Sequence, residues 1–265
     1  MEVIRPSSLA EAVDALARHP GADVLAGGTD LMVDVNLAHR RPDTVIAIRR
    51  VDELSEMTAT RIGAGVTFGE LERSPHTGLA EAARTVGSPQ IRSVATIGGN
   101  LGTGSPAGDS LPWMAVRDAI VVLESTAGIR RIPWDAFLTG PKQTLRRPDE
   151  VIIGVEVGER APEREAFTKV GIRQAMVIAT VSCCVARFDD GEIRIALGAV
   201  GPTVLRAHRA ERFLASRSSI DSETLGEVER LVADEVRPIT DHRATAGYRR
   251  HAAGVIAGRT LERVS

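Results

Sequence analysis

Two Gly-Gly pairs constrain this chain more than any other feature. They are Gly27-Gly28 in "VLAGGTDLM" (Val24–Met32) and Gly98-Gly99 in "ATIGGNL" (Ala95–Leu101), and no third pair exists. Glycine loses the most backbone freedom on folding, so adjacent glycines are costly unless the fold needs a bare backbone. Each pair follows a short apolar run that reads as a strand end. There, backbone N–H groups are exposed, and the missing Cβ atoms let an anion come close. Successive N–H groups in a turn form a nest for phosphate, and a helix starting at Asp30 would add its dipole. Two such corners facing each other would hold one diphosphate from both sides, with Thr29, Thr96 and Asn100 as further donors. The alternative is that each pair only makes a tight turn.

Other phosphate and catalytic fingerprints are absent. Gly63, Gly65 and Gly69 miss G-x-G-x-x-G by one residue, as do Gly102, Gly104 and Gly108, which rejects the dinucleotide fingerprint. There is no P-loop, no H-E-x-x-H and no G-x-S-x-G, and the six histidines lack metal-ligand spacing. A length of 265 residues suggests two or three subdomains. The 43 % apolar share is that of a globular chain, and a net charge of −2 gives no broad basic surface for nucleic acid. No apolar run is long enough for a membrane span, and the start lacks a secretory pattern, so a cytoplasmic location is expected. Two cysteines, Cys183 and Cys184, cannot supply the four thiolates of an iron–sulfur cluster; they read as small apolar residues of a buried strand. Of 33 cationic residues only Lys142 and Lys169 are lysines. Each is therefore notable in a chain that otherwise uses arginine.

Periodicity orders the rest. Ser8-Leu9-Ala10-Glu11 reads as a capping box for a helix that stops at His19-Pro20-Gly21. The strand "DVLAGG" follows, then a short helix over Asp30–His39 capped by Thr29 or Asp30, then the strand "TVIAI". Beyond a strand at Thr60–Ile62, helices are expected at Phe68–Arg73 and Leu79–Val86. The glycine- and proline-rich stretch from Ser88 to Met114 shows no helical period and reads as a long loop around a short strand. "AIVVLES" and "IRRIPW" form a hairpin, and "EVIIGVEV" a further strand. Polar, proline-containing Val157–Glu165 marks a boundary. After it come "EAFTKV" and two apolar strands joined by Asp190-Gly191, a hairpin turn. Three helices are expected within Arg206–Arg263.

"AGGTDL", "TIGGN" and "SPAGD", with "IGAGVTFGEL" and "FTKVGIRQAMVIA", resemble the FAD-binding medium subunit of the molybdenum hydroxylases, the family of xanthine and carbon monoxide dehydrogenases. The resemblance spans essentially the whole chain. It implies an α+β fold: two N-terminal α/β subdomains of the PCMH-type FAD-binding fold, at residues 1–54 and 55–160, and a C-terminal domain of antiparallel sheet and helices at 161–265. It implies FAD contacts at Leu25, Ala26, Gly27, Gly28, Thr29, Asp30 and Leu31, and at Thr96, Ile97, Gly98, Gly99 and Asn100. It adds Asp109, the backbone of Ile152, and Lys169.

Some of these residues have second readings. Asp109 either bonds a hydroxyl or amine of the cofactor or caps the helix of "DSLPWM". Lys169 either sets a positive charge near the flavin pyrimidine edge or is a solvated strand-end lysine. Asp30 is a helix cap or a cofactor contact, and Ile152 is a core residue in its side chain. Tyr248 is the only tyrosine, so few aromatics exist to stack on a flavin. The implied partners are a large molybdenum-cofactor subunit and a small subunit with [2Fe–2S] clusters, in a dimer of heterotrimers. The implied function is transfer of electrons from those clusters through FAD to NAD⁺, a quinone or another acceptor. An assembly subunit with an empty flavin site and a stand-alone flavin oxidase are the rivals.

Overall fold

The computed structural model describes every residue, Met1–Ser265. The chain opens with β1 (Glu2–Ile4), α1 (Leu9–Arg18), β2 (Asp23–Leu25), α2 (Leu31–Asn36) and β3 (Thr44–Ala47). β3 lies between β1 and β2 and runs parallel to both. α1 forms because Ser8 accepts the Glu11 N–H at 3.2 Å while Ala12, Val13, Ala15 and Leu16 share one buried face. The capping box is shifted by one residue: Glu11 accepts from the Ser7 N–H and hydroxyl at 2.7 and 2.9 Å, not from Ser8. α2 is shorter than expected, and Asp30 sits at its N-cap position without a side-chain cap bond.

The middle of the chain runs through β4 (Arg61–Gly63), α3 (Phe68–Leu71), α4 (Thr77–Arg84), α5 (Pro89–Arg92), α6 (Ile97–Thr103) and α7 (Leu111–Val116). It continues with β5 (Ile120–Ser125), β6 (Gly128–Pro133), α8 (Trp134–Phe137), β7 (Leu138–Gly140), β8 (Gln143–Thr144) and β9 (Val151–Glu156). β4, β9, β5 and β6 form an antiparallel sheet in that order, with β5 and β6 as the expected hairpin. The Ser88–Met114 stretch departs from expectation. It carries α5, α6 and α7 instead of a loop around a strand. Ser88 caps α5 with Pro89 at its first position, and Thr96 caps α6. Gly98-Gly99 therefore lies in the first turn of a helix, not at a strand end.

The last third holds β10 (Arg164–Val170), β11 (Val181–Arg187), β12 (Ile193–Gly198) and β13 (Leu205–Arg206), paired antiparallel in chain order. The helices α9 (His208–Ala215), α10 (Ser222–Glu235) and α11 (Ala246–Val264) follow. Strand periodicity explains why adjacent Cys183 and Cys184 are both fully buried and free. Successive side chains of β11 point to opposite faces. Val181, Cys183 and Val185 join the core beneath α10 and α11, while Cys184 and Ala186 join the core around Trp113 and Phe68. The sheet of β9 and β5 is shared in the same way. Ile152, Val155, Val121 and Leu123 face that Trp113 core, and Val151, Ile153 and Val122 face the core beneath α1. Two sheets with both faces covered thus tie three cores into a stack. No helix is long and apolar enough to cross a membrane.

Candidate functional site

A cleft of about 480 Å³ runs between the β2–α2 loop, α6 and the ends of β9 and β10. That is within the range of small-molecule sites. Both glycine pairs line it. They meet because the loop backbone closes onto the segment before α6: a Cβ on Gly27 would stand 1.8 Å from the Val94 carbonyl oxygen. Gly98 is equally constrained, since its Cβ would fall 2.5 Å from the Ala64 Cβ. Close packing explains these two glycines without a ligand. It does not explain the others. Gly28 has φ of +71°, a conformation that favours glycine, and a Cβ on Gly99 would meet only the Thr96 hydroxyl, at 3.2 Å. Gly99 is bare toward the cleft.

The donors of the two pairs differ. In α6 the first N–H groups are already engaged: Ile97 to the Val66 carbonyl at 3.1 Å, Gly98 to Ala64 at 2.9 Å, Gly99 to the Thr96 hydroxyl at 3.0 Å and Asn100 to the Thr96 carbonyl at 3.0 Å. The expected second nest is therefore missing, because the cap and the Ala64 and Val66 carbonyls use its donors. The first loop is the opposite case. The N–H groups of Gly27, Gly28, Thr29, Asp30 and Leu31 donate to no acceptor within the chain. Unpaired backbone donors in a half-buried segment need an outside partner. This loop offers a run of them to an anion, and α6 supplies a floor without side chains.

Of the residues expected at the site, Leu25, Ala26, Gly27, Gly28, Thr29, Asp30, Leu31, Thr96, Gly98, Gly99, Asn100, Asp109, Ile152 and Lys169 all line the cleft. Ile97 does not, since its side chain is fully buried in the Trp113 core. Thr96 serves as the α6 cap, and the Asn100 carbonyl oxygen accepts from the Ser110 hydroxyl at 2.8 Å, leaving the Asn100 amide NH₂ free. Asp30 accepts from the Thr103 hydroxyl at 3.2 Å and lies 3.7 Å from Lys142.

Asp109 and Lys169 form one buried unit. The Lys169 ammonium lies 2.5 Å from Asp109 Oδ2 and donates to the Thr85 carbonyl at 3.2 Å, with both side chains under a tenth exposed. This overturns two readings. Lys169 is not a solvated strand-end lysine, and Asp109 does not cap α7, whose N-cap is Ser110. Burial pushes the Asp109 carboxyl above the usual carboxylate range, and Lys169 and the Thr85 hydroxyl oppose that shift. Asp109 Oδ1 is buried without a partner, an acceptor at the cleft wall that fits a ligand hydroxyl or amine. Missed by sequence reasoning were Arg146, which donates to the Arg147 and Glu150 carbonyls at the wall, and the apolar rim of Val86, Ile91, Val177 and Ile178. Their motifs are unexceptional. Lys142 was visible only through the scarcity of lysine.

Two substitution tests follow. Gly27→Ala is expected to cost about 3 kcal/mol or more in urea unfolding, because its Cβ collides with backbone that cannot relax cheaply; Gly99→Ala is expected within about 1 kcal/mol of the parent. Equal losses would contradict the packing distinction. Lys169→Met is expected to cost about 3–5 kcal/mol by leaving a buried unpaired carboxylate, and adding Asp109→Asn is expected to restore most of it. A silent Lys169→Met would contradict the pairing.

The chain matches two family models: the FAD binding domain in molybdopterin dehydrogenase over residues 1–159, and the CO dehydrogenase flavoprotein C-terminal domain over residues 165–264. It is 33 % identical to a putative xanthine dehydrogenase FAD-binding subunit of Escherichia coli K12, over 93 % of this chain and 90 % of that protein. It is 32 % identical to the carbon monoxide dehydrogenase medium chain of Hydrogenophaga pseudoflava, over 97 % and 94 %. The solved carbon monoxide dehydrogenase of that organism superposes with a TM-score of 0.89 over 99 % of this chain and 96 % of its own, at 32 % identity. Quinoline 2-oxidoreductase from Pseudomonas putida 86 reaches 0.92 over 100 % and 96 %, at 26 % identity. Fold, cleft and sequence thus agree that the chain belongs to the FAD-binding medium subunits of the molybdenum hydroxylases, flavoprotein components of oxidoreductases whose cofactor is FAD.

Proposed function

We propose that this chain is the electron-transfer subunit of a heterotrimeric molybdenum hydroxylase. A partner holding the molybdenum cofactor acts on the organic substrate. A small partner with [2Fe–2S] clusters relays the electrons to this chain, which delivers them to NAD⁺, a quinone or another acceptor. FAD, when bound, supplies the two-electron store between one-electron relays and the acceptor; the chain binds, orients and tunes it. The Gly27–Leu31 N–H groups would take the diphosphate. Gly98-Gly99 would let it lie against α6. Asp109 Oδ1 would accept from a cofactor hydroxyl or amine. The chain would divide into three units, at residues 1–54, 55–160 and 161–265.

The observation that carries this reading is how the cleft's polar groups are committed. No histidine, cysteine or tyrosine lines it. Asp23 pairs with Arg40, Asp109 with Lys169 and Glu150 with Arg130. Asp30 and Asp34 share Lys142, and the one unpartnered carboxylate oxygen, Asp109 Oδ1, belongs to a carboxyl already paired with Lys169, so no carboxylate stands alone as a general base for an organic substrate. That favours electron transfer over a stand-alone oxidase, and the intact donor run favours a loaded site over an empty assembly subunit. The E. coli and H. pseudoflava relatives are described as subunits or chains of dehydrogenases, which supports an assembly with partners.

The purified chain is expected to hold FAD and no stoichiometric iron or molybdenum. Its flavin is expected to be reduced by a reduced [2Fe–2S] partner and not by hydroxylation substrates alone. Gly28→Val and Gly99→Val are expected to give soluble chains without the flavin absorption bands. Flavin reduction by an organic substrate without partners, or normal flavin spectra in both variants, would contradict the proposal.

A further inference from the structure

The donor run that faces the cleft contains an acid. Asp30 sets a carboxylate among the free N–H groups of Gly27–Leu31, and Asp34 follows one helical turn later, also at the cleft. Left alone, these carboxylates would repel the anion the loop is otherwise built to take. Every other acid lining the cleft has its own cation: Asp23 has Arg40, Glu150 has Arg130 and Asp109 has Lys169. Asp30 and Asp34 share one, Lys142, whose Nζ is 3.7 Å from Asp30 Oδ2 and 4.0 Å from Asp34 Oδ2.

We propose that Lys142 is a positioning residue of the diphosphate site: its ammonium neutralises Asp30 and Asp34, so that the Gly27–Leu31 donors attract an anion. The inference rests on the FAD reading above. Three further observations support it. Lys142 sits at φ of +57°, the left-handed region that glycine or asparagine fills at least cost, yet the chain keeps a lysine there. Its backbone N–H donates to the Gly104 carbonyl at 2.9 Å, anchoring the residue at the end of α6. This chain has two lysines, and both line this cleft beside an aspartate. Stability does not explain the pair, because an exposed ion pair adds little. A lysine also suits the task better than an arginine. It is a compact point charge able to serve two carboxylates, where a guanidinium fork would lock onto one.

The test is FAD titration of the FAD-stripped full-length chain, followed by flavin fluorescence at low and high salt, with thermal melts of the ligand-free proteins. Lys142→Gln is expected to melt with the parent and to bind FAD about tenfold more weakly at low salt. The gap is expected to narrow as salt rises. Lys142→Gln with Asp30→Asn is expected to regain most of the parent affinity, and Lys142→Arg, which keeps the charge but pairs with one carboxylate, to retain part of it. The inference is overturned if Lys142→Gln binds FAD like the parent, if its loss ignores salt, or if Asp30→Asn fails to rescue it. A parent chain that does not take up FAD would instead overturn the cofactor reading itself.

Discussion

The free backbone donors of Gly27–Leu31 are the constraint on which the site depends. A folded chain pairs nearly all of its half-buried and buried N–H groups, and this one does so even in the adjacent first turn of α6. Leaving a neighbouring run unpaired makes sense only if something outside the chain completes it. Gly27 keeps the run pressed against Val94, Gly28 turns it with a positive φ, and the run ends at the start of α2, where no side-chain cap takes up the first donors that any helix leaves unpaired. The second glycine pair plays a complementary part. Its donors are satisfied; Gly98 lets α6 press against Ala64, and the missing side chain of Gly99 leaves room beside the first loop. The two pairs therefore do different jobs with the same residue.

The cores hold these parts in register. The β2–α2 loop belongs to a unit whose core runs beneath α1 onto β5 and β9, and α6 packs on the opposite face of those strands. One sheet thus fixes both walls of the cleft. Lys169 enters from β10, whose own sheet shares the Trp113 core through Cys184 and Ala186. Asp109 on the α6–α7 connection meets it, so the buried ion pair stitches the last third of the chain to the floor of the cleft. Such a buried pair adds little net stability but is costly to break, because losing one partner leaves the other buried and uncompensated. That suits a joint where two units must close at a defined distance around a ligand.

Much of this was legible in the sequence. The apolar strands, the Asp190-Gly191 turn and the C-terminal helices read correctly, because short continuous apolar runs bounded by turn residues mark strands buried on both faces, and the longer helices keep a 3.6 period. The Ser88–Met114 stretch did not. α5, α6 and α7 are each shorter than two full turns, so no period could establish itself. Gly98-Gly99 also lowers intrinsic helix propensity, while the fit against Ala64 that offsets it is a tertiary contact. The Asp109–Lys169 pair is 60 residues apart in sequence and equally invisible locally. What the sequence did expose was the place of the cleft: all the expected contacts line it except Ile97, whose position in the first turn of α6 points its side chain into the core. The difference between an occupied and an open donor set depends on hydrogen-bond partners remote in sequence, so it became visible only in the fold.

The proposed electron-transfer role needs a site that holds its cofactor firmly and leaves no carboxylate uncompensated. The committed ion pairs and bare backbone of this cleft meet both needs. The most direct measurement is amide hydrogen exchange of the chain with and without FAD, resolved at residues 26–32 and 97–101. Fast exchange is expected at Gly27–Leu31 without FAD, with strong protection there once FAD is added and little change at the already bonded Ile97–Asn100 amides. Unchanged exchange at Gly27–Leu31 on FAD binding, with protection confined to α6 or elsewhere, would contradict it.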